Sequence, residues 1–128
     1  MPPFQRVQSG APWESLVGYC RALRAGDRIF VTGTAPVAEG GGVHAPGDAE
    51  AQTARCLQII EEALGKLDAD RTHIVRTRIF VTDISRWAEV GRAHSAFFGD
   101  HRPCTTMVEV KALIDPEMLV EIEADAVT

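Results

Sequence analysis

Arg102–Val127, RPCTTMVEVKALIDPEMLVEIEADAV, decides the fold. In it, Val108 and Val110 alternate with Met107, Glu109 and Lys111, and Val120, Ile122, Ala124 and Ala126 alternate with Glu121, Glu123 and Asp125. Alternation with period two is the signature of a strand that presents one face to a core. Two strands are expected, joined by a link that contains Pro116, which cannot donate a ladder hydrogen bond. Their polar face carries Thr105, Glu109, Glu121, Glu123 and Asp125 on strands expected to be neighbours. Such a face is wet, or it lines a site or a subunit interface.

Working outward, Val75–Val81 is a further strand, with Val75, Thr77, Ile79 and Val81 on one side and Arg76, Arg78 and Phe80 on the other. Arg28–Thr34 is β-branched and aromatic, and ends at Thr32-Gly33-Thr34. It follows Gly18–Ala22 and the Ala25-Gly26-Asp27 turn, which makes a hairpin, and Phe4–Val7 is a short first strand before the turn cluster Ser9–Pro12. Two helices are expected. Asp48 caps the first, whose stripe is Thr53, Cys56, Leu57, Ile60, Leu64 and Leu67; Ser85 caps the second, with Trp87, Val90, Gly91, His94, Phe97 and Phe98 as its stripe and Gly99-Asp100 at its end. Gly42–Gly47 has the G-x-x-x-x-G spacing of a phosphate loop, but Asp48 follows where a Lys is needed, so it reads as a loop before a helix cap.

The order strand, hairpin, helix, strand, helix, strand, strand suits one α+β domain over residues 1–128, a two-layer unit with both helices on one side of the sheet. The other side would expose Phe30, Thr32, Arg78, Phe80, Met107, Glu109 and Glu121, a mixture suited to cover by a second copy of the chain. Composition agrees with a soluble globular protein: 45% hydrophobic, 24% charged, net charge −5. That charge, with no basic run, argues against a nucleic-acid groove. Three widely spaced cysteines, Cys20, Cys56 and Cys104, argue against a disulfide framework. Neither a signal peptide nor a membrane span is visible, so a cytoplasmic protein is expected.

The C-terminal stretch resembles the signature of the RidA (YjgF-type) family, R-P-A-R-S-x-V-E-V followed by V-E-I-E-A. The matching residues are Arg102 to Val110 and Val120 to Ala124. Gly18-Tyr19-Cys20-Arg21-Ala22, Gly26-Asp27 and Thr32-Gly33-Thr34 extend the resemblance over nearly the whole chain. It implies a mixed sheet in a chorismate-mutase-like subunit, a homotrimer, and a small-molecule cleft at each subunit boundary. In the family's deaminases a second Arg clamps a substrate carboxylate, and a Glu aligns the water that attacks an imine carbon. Here the Glu is Glu121, whereas Thr105 stands in place of the Arg, and Gly91 stands where many deaminases carry Asn.

The expected site is therefore Glu121 as the catalytic residue, with Tyr19, Thr32, Gly33, Thr105 and Met107 binding the substrate. A Thr hydroxyl carries no charge and offers no planar fork, so the ligand differs from the usual 2-imino acids. Of the other cations, Arg102 is an odd offset from Thr105 and Arg78 is better placed, although a structural ion pair with nearby carboxylates suits it more. His94 reads as a core residue, and His101 with Cys104 is an incomplete metal pattern, so neither metal nor cofactor is expected. Three functions remain open: hydrolytic release of ammonia from an enamine or imine, metabolite binding without turnover, and endoribonuclease or translation inhibition, which the acidic charge disfavours.

Overall fold

A computed structural model describes residues 4–128. The strands are β1 (Phe4–Val7), β2 (Ala22–Ala25), β3 (Arg28–Thr34), β4 (Ile74–Val81), β5 (Cys104–Glu109) and β6 (Val120–Val127); the helices are α1 (Ala49–Gly65) and α2 (Trp87–Phe98). One six-stranded mixed sheet runs β1-β2-β3-β6-β4-β5, antiparallel except for the parallel pair β4–β5. The two helices cover one side. Between helices and sheet lies a core of Ile29, Val31, Leu57, Ile60, Leu64, Ile79, Val120 and Ile122.

The stripe of α1 is buried as its 3.6-residue period requires, from Thr53 to Leu64, and the Asp48 side chain accepts from the Ala51 N–H at 2.9 Å. The hairpin β2–β3 turns at Gly26, whose φ of +64° suits glycine. Arg71 fastens the helices to each other: it grips both Glu61 oxygens at 2.5 and 2.6 Å, donates to the Phe97 carbonyl and stacks on the Phe97 ring. Among the described residues no helix is long and apolar enough to cross a membrane.

Five expectations need correction. β5 and β6 are not neighbours, because β4 lies between them. The register then puts Thr105, Met107 and Glu109 beside Thr77, Ile79 and Val81, on the helix side, with Met107 against the core. Val108 is instead 43% exposed on the open side, next to Phe80. Alternation gave the strand correctly but not the sign of its faces, since β5 is an edge strand with no apolar row to anchor it.

In β4 a register shift between Ile74 and Arg76 turns Val75 outward and buries Ile74 instead. A bulge inverts the alternation for every residue before it. Asp83, not Ser85, caps the entry to α2: it accepts from the Ser85 N–H at 3.0 Å and opens a 3₁₀ turn, Ile84–Arg86. Trp87 consequently sits at the helix start and is 62% exposed, outside the stripe.

Candidate functional site

The segment before β2 builds the floor of the site. Glu14–Gly18 forms a π-helical turn that closes with Gly18 at φ +92°. It buries Glu14, which accepts from the Ser9 N–H at 2.9 Å, from the Ser9 hydroxyl, and from Arg21 Nε at 3.2 Å. Burial pushes the Glu14 carboxyl up, but the two Ser9 hydrogen bonds and the Arg21 charge outweigh it and hold the group below the usual carboxylate range. Arg21 is 5% exposed and also donates from Nη1 to the Gly33 carbonyl at 2.8 Å and to Thr34 Oγ1 at 3.2 Å. A buried ion pair bonded this fully fixes the loop against β3.

β3 is irregular here: its pairing with β6 shifts between Val31 and Thr34. Gly33 lies over Glu121 of β6. A Cβ on Gly33 would come within 2.7 Å of Glu121 Oε2, so the missing side chain makes room for the carboxylate. Glu121 is half-buried, and its carboxyl is raised above the usual range chiefly by burial; Arg21 opposes the shift and Glu123 adds to it. No nitrogen of Arg21 is within ion-pair distance of Glu121 among the described residues. The carboxylate therefore feels the guanidinium without being tied to it.

Tyr19, Arg21, Gly33 and Glu121 line one cavity of about 490 Å³, with Ile59, Arg55 and Ile114 on its walls. That volume suits a small metabolite. Of the residues expected from sequence, Tyr19, Gly33 and Glu121 meet here. Thr32 does not; it lines a shallower depression on the open side of the sheet with Phe30, Glu123 and Asp125. Thr105 and Met107 are on the opposite side of the sheet from Glu121 and line neither hollow.

Thr105 is exposed on the edge strand, where its hydroxyl bonds Thr77 Oγ1 at 2.7 Å, and Thr77 in turn bonds His94 Nε2 at 2.8 Å. His94 is thus the inner end of a hydroxyl chain, with its imidazole pushed below the ordinary value by burial. Arg78 is an ion-pair residue: it bonds Glu123 and Asp125 at 3.2 Å each. Cys56 is fully buried, which pushes its thiol far up and makes it inert.

Sequence reading missed Arg21 and Glu14. The available signal was two opposite charges flanking an otherwise apolar run before a buried strand, a pattern costly to bury unless paired.

The site can be set beside known proteins. The family model for endoribonuclease L-PSP matches residues 10–128. A Streptomyces coelicolor protein, SCO2049, is 37% identical over 95% of this chain and 90% of its own length. The 3-aminoacrylate deaminase RutC of Acinetobacter baylyi is 29% identical over 98% of each chain. Among solved structures, Rv2704 of Mycobacterium tuberculosis, a member of the YjgF/YER057c/UK114 family, superimposes with a TM-score of 0.88 at 50% identity, covering 98% of this chain and 99% of its own. The yjgF gene product of Escherichia coli gives 0.82 at 28% identity, over 95% and 93%. The family model spans residues 10–128 and the fold superimposes on solved family members over nearly its whole length, and the chain belongs to the RidA (YjgF-type) family.

Proposed function

We propose that the chain is a RidA-type hydrolase that releases ammonia from a small reactive enamine or imine, with Glu121 as the residue that activates water. The observation that carries this reading is the Glu121 carboxylate, seated over Gly33 in a cavity of metabolite size and raised above the usual carboxylate range by burial. A carboxylate shifted toward neutral pH is matched to general-base work. Glu121 takes a proton from water as its oxygen bonds the imine carbon, and the C=N electron pair moves to nitrogen. That proton passes from Glu121 to nitrogen to give a carbinolamine. The carbinolamine hydroxyl proton then moves to the amine nitrogen, the O–H electron pair forms the carbonyl as the C–N bond breaks, and ammonia and a carbonyl compound leave. An enamine enters after tautomerising to its imine. The resemblance to a 3-aminoacrylate deaminase over 98% of the chain supports the same chemistry.

The working unit in this reading is a homotrimer with the cleft at the subunit boundary. Two observations support it. The open side of the sheet exposes Phe30 at 46% and Val108 at 43%, and Leu16 and Val17 are exposed at 80% and 71%. Thr105 and Glu121 also face opposite sides of one sheet, so they can share a ligand only across two subunits. An RNA-cleaving role has no support in this geometry. The open side bears Glu121, Glu123 and Asp125, and Arg78 is spent on two of them.

The test is ammonia release from 2-iminopropanoate, generated in situ by oxidation of alanine. Thr105→Arg restores the family's clamp and raises this activity at least 10-fold over wild type; adding Glu121→Gln abolishes the gain. If Thr105→Arg is folded and yields no Glu121-dependent ammonia, the hydrolase reading fails and metabolite binding without turnover takes its place.

A further inference from the structure

We propose that Arg21 is the recognition residue of this cleft, and that it selects ligands bearing a neutral carbonyl oxygen (amide, ester or ketone) beside the reacting carbon, in place of a carboxylate. The substrate half of this proposal rests on the imine-hydrolase reading above; the recognition half stands on the geometry of Arg21.

A guanidinium grips a carboxylate along one of its two edges, Nε with Nη2 or Nη1 with Nη2, using two parallel N–H donors. In Arg21 both edges are half spent. Nε donates to Glu14, and Nη1 donates to the Gly33 carbonyl and Thr34 Oγ1. Nη2 has no hydrogen-bond partner among the described residues. No buried side-chain nitrogen or oxygen among them lacks a partner. Nη2 is therefore the point at which this 5%-exposed residue opens onto the cavity it shares with Glu121 and Tyr19. A ligand meets a single end-on donor.

Charge leads to the same class. Glu14 is ionised and in contact with Arg21, so the guanidinium arrives already offset. A carboxylate ligand would meet Glu14 behind Arg21 and Glu121 beside it, with no fork to repay its desolvation. A neutral carbonyl oxygen accepts one N–H from Nη2 and leaves that balance unchanged. Arg55, the other guanidinium on the wall, donates to the Val37 carbonyl at 2.8 Å and to Gln58 at 3.1 Å.

Pyruvamide and pyruvate separate the two ligand classes, since they differ little except in charge. Each is titrated against the full-length protein by ligand-observed NMR. Wild type binds pyruvamide at least 10-fold more tightly than pyruvate. Because Arg21→Gln alone strands a buried Glu14, the informative variant is Glu14→Gln/Arg21→Gln, which removes the Nη2 donor and keeps the site neutral. With its circular dichroism and melting curve showing a folded protein, it loses the preference for pyruvamide; if it does not fold, Arg21→Lys, which keeps the charge but moves the donor, must lose it instead. Equal or tighter binding of pyruvate, binding of neither probe, or an unchanged preference in the folded variant overturns the proposal. Loss of the preference in Arg55→Gln with Arg21 intact assigns the contact to Arg55 and overturns it as well. Hydrolysis is scored separately, as ammonia from 2-iminopropanamide. Pyruvamide preference without Glu121-dependent ammonia leaves Arg21 in its role and refutes the hydrolase reading alone; ammonia from 2-iminopropanoate in preference to the amide does the reverse.

Discussion

Gly33→Ala separates stability from activity. The new Cβ would stand 2.7 Å from Glu121 Oε2 and 3.2 Å from its Cδ, where ordinary contact begins at 3.4 Å. The carboxylate must retreat by about 0.7 Å to relieve the contact. Gly33 has no positive φ, so alanine fits its backbone, and the only clash is with the end of a flexible side chain. Driving Glu121 off its rotamer costs about 1 kcal/mol. Replacing glycine within a strand returns roughly 0.5–1 kcal/mol through the unfolded chain. The two nearly cancel, so the melting temperature stays within about 4 °C of wild type. The catalytic effect does not cancel. A base displaced by this distance loses about 10- to 100-fold in rate, equivalent to roughly 1.4–2.7 kcal/mol of transition-state stabilisation. Ammonia release by Gly33→Ala, set against a thermal melt of the same preparation, measures both. Activity within 3-fold of wild type would refute the seating of Glu121 over Gly33. A destabilisation above about 3 kcal/mol would show instead that Gly33 is held by backbone packing.

Glu121 also links stability to pH. Its folded pKa is raised, so the native state binds the proton more tightly than the unfolded chain does, and its contribution to stability is present at low pH and is lost as pH rises through the raised value. Glu121→Gln is therefore more stable than wild type at pH 8, with the difference shrinking below the ordinary carboxylate range; denaturant titrations at both pH values check it, and an unchanged difference refutes the burial of this group. Phe30→Asp places a charge on the open side of the sheet, where Phe30 is 46% exposed beside Asp125. Light scattering should show the assembly shift toward monomer while the secondary structure persists, and a monomeric wild type would refute the covered face.

The fold was legible because most strands alternate over a buried row and α1 carries an uninterrupted stripe. Ile122, Ala124 and Ala126 identify their face because each is buried. β5 lacks such a row, so Met107 and Val108 exchanged faces, and Thr105 moved with them to the side opposite Glu121. A one-residue error on an edge strand thus separated two residues expected to act together, and that separation is what makes a second subunit necessary for any shared site. Arg21 was hidden for a different reason. Pattern reading assigns charged residues to water, and only the pairing of Arg21 with Glu14, seven residues away across a π-helical turn, allows it to be buried. Sequence spacing does not encode that turn. The residue that departs from the family's motif, Thr105, is visible in one dimension. Arg21, the cation whose field reaches Glu121, becomes visible only when β3 brings Gly33 and Thr34 against its guanidinium.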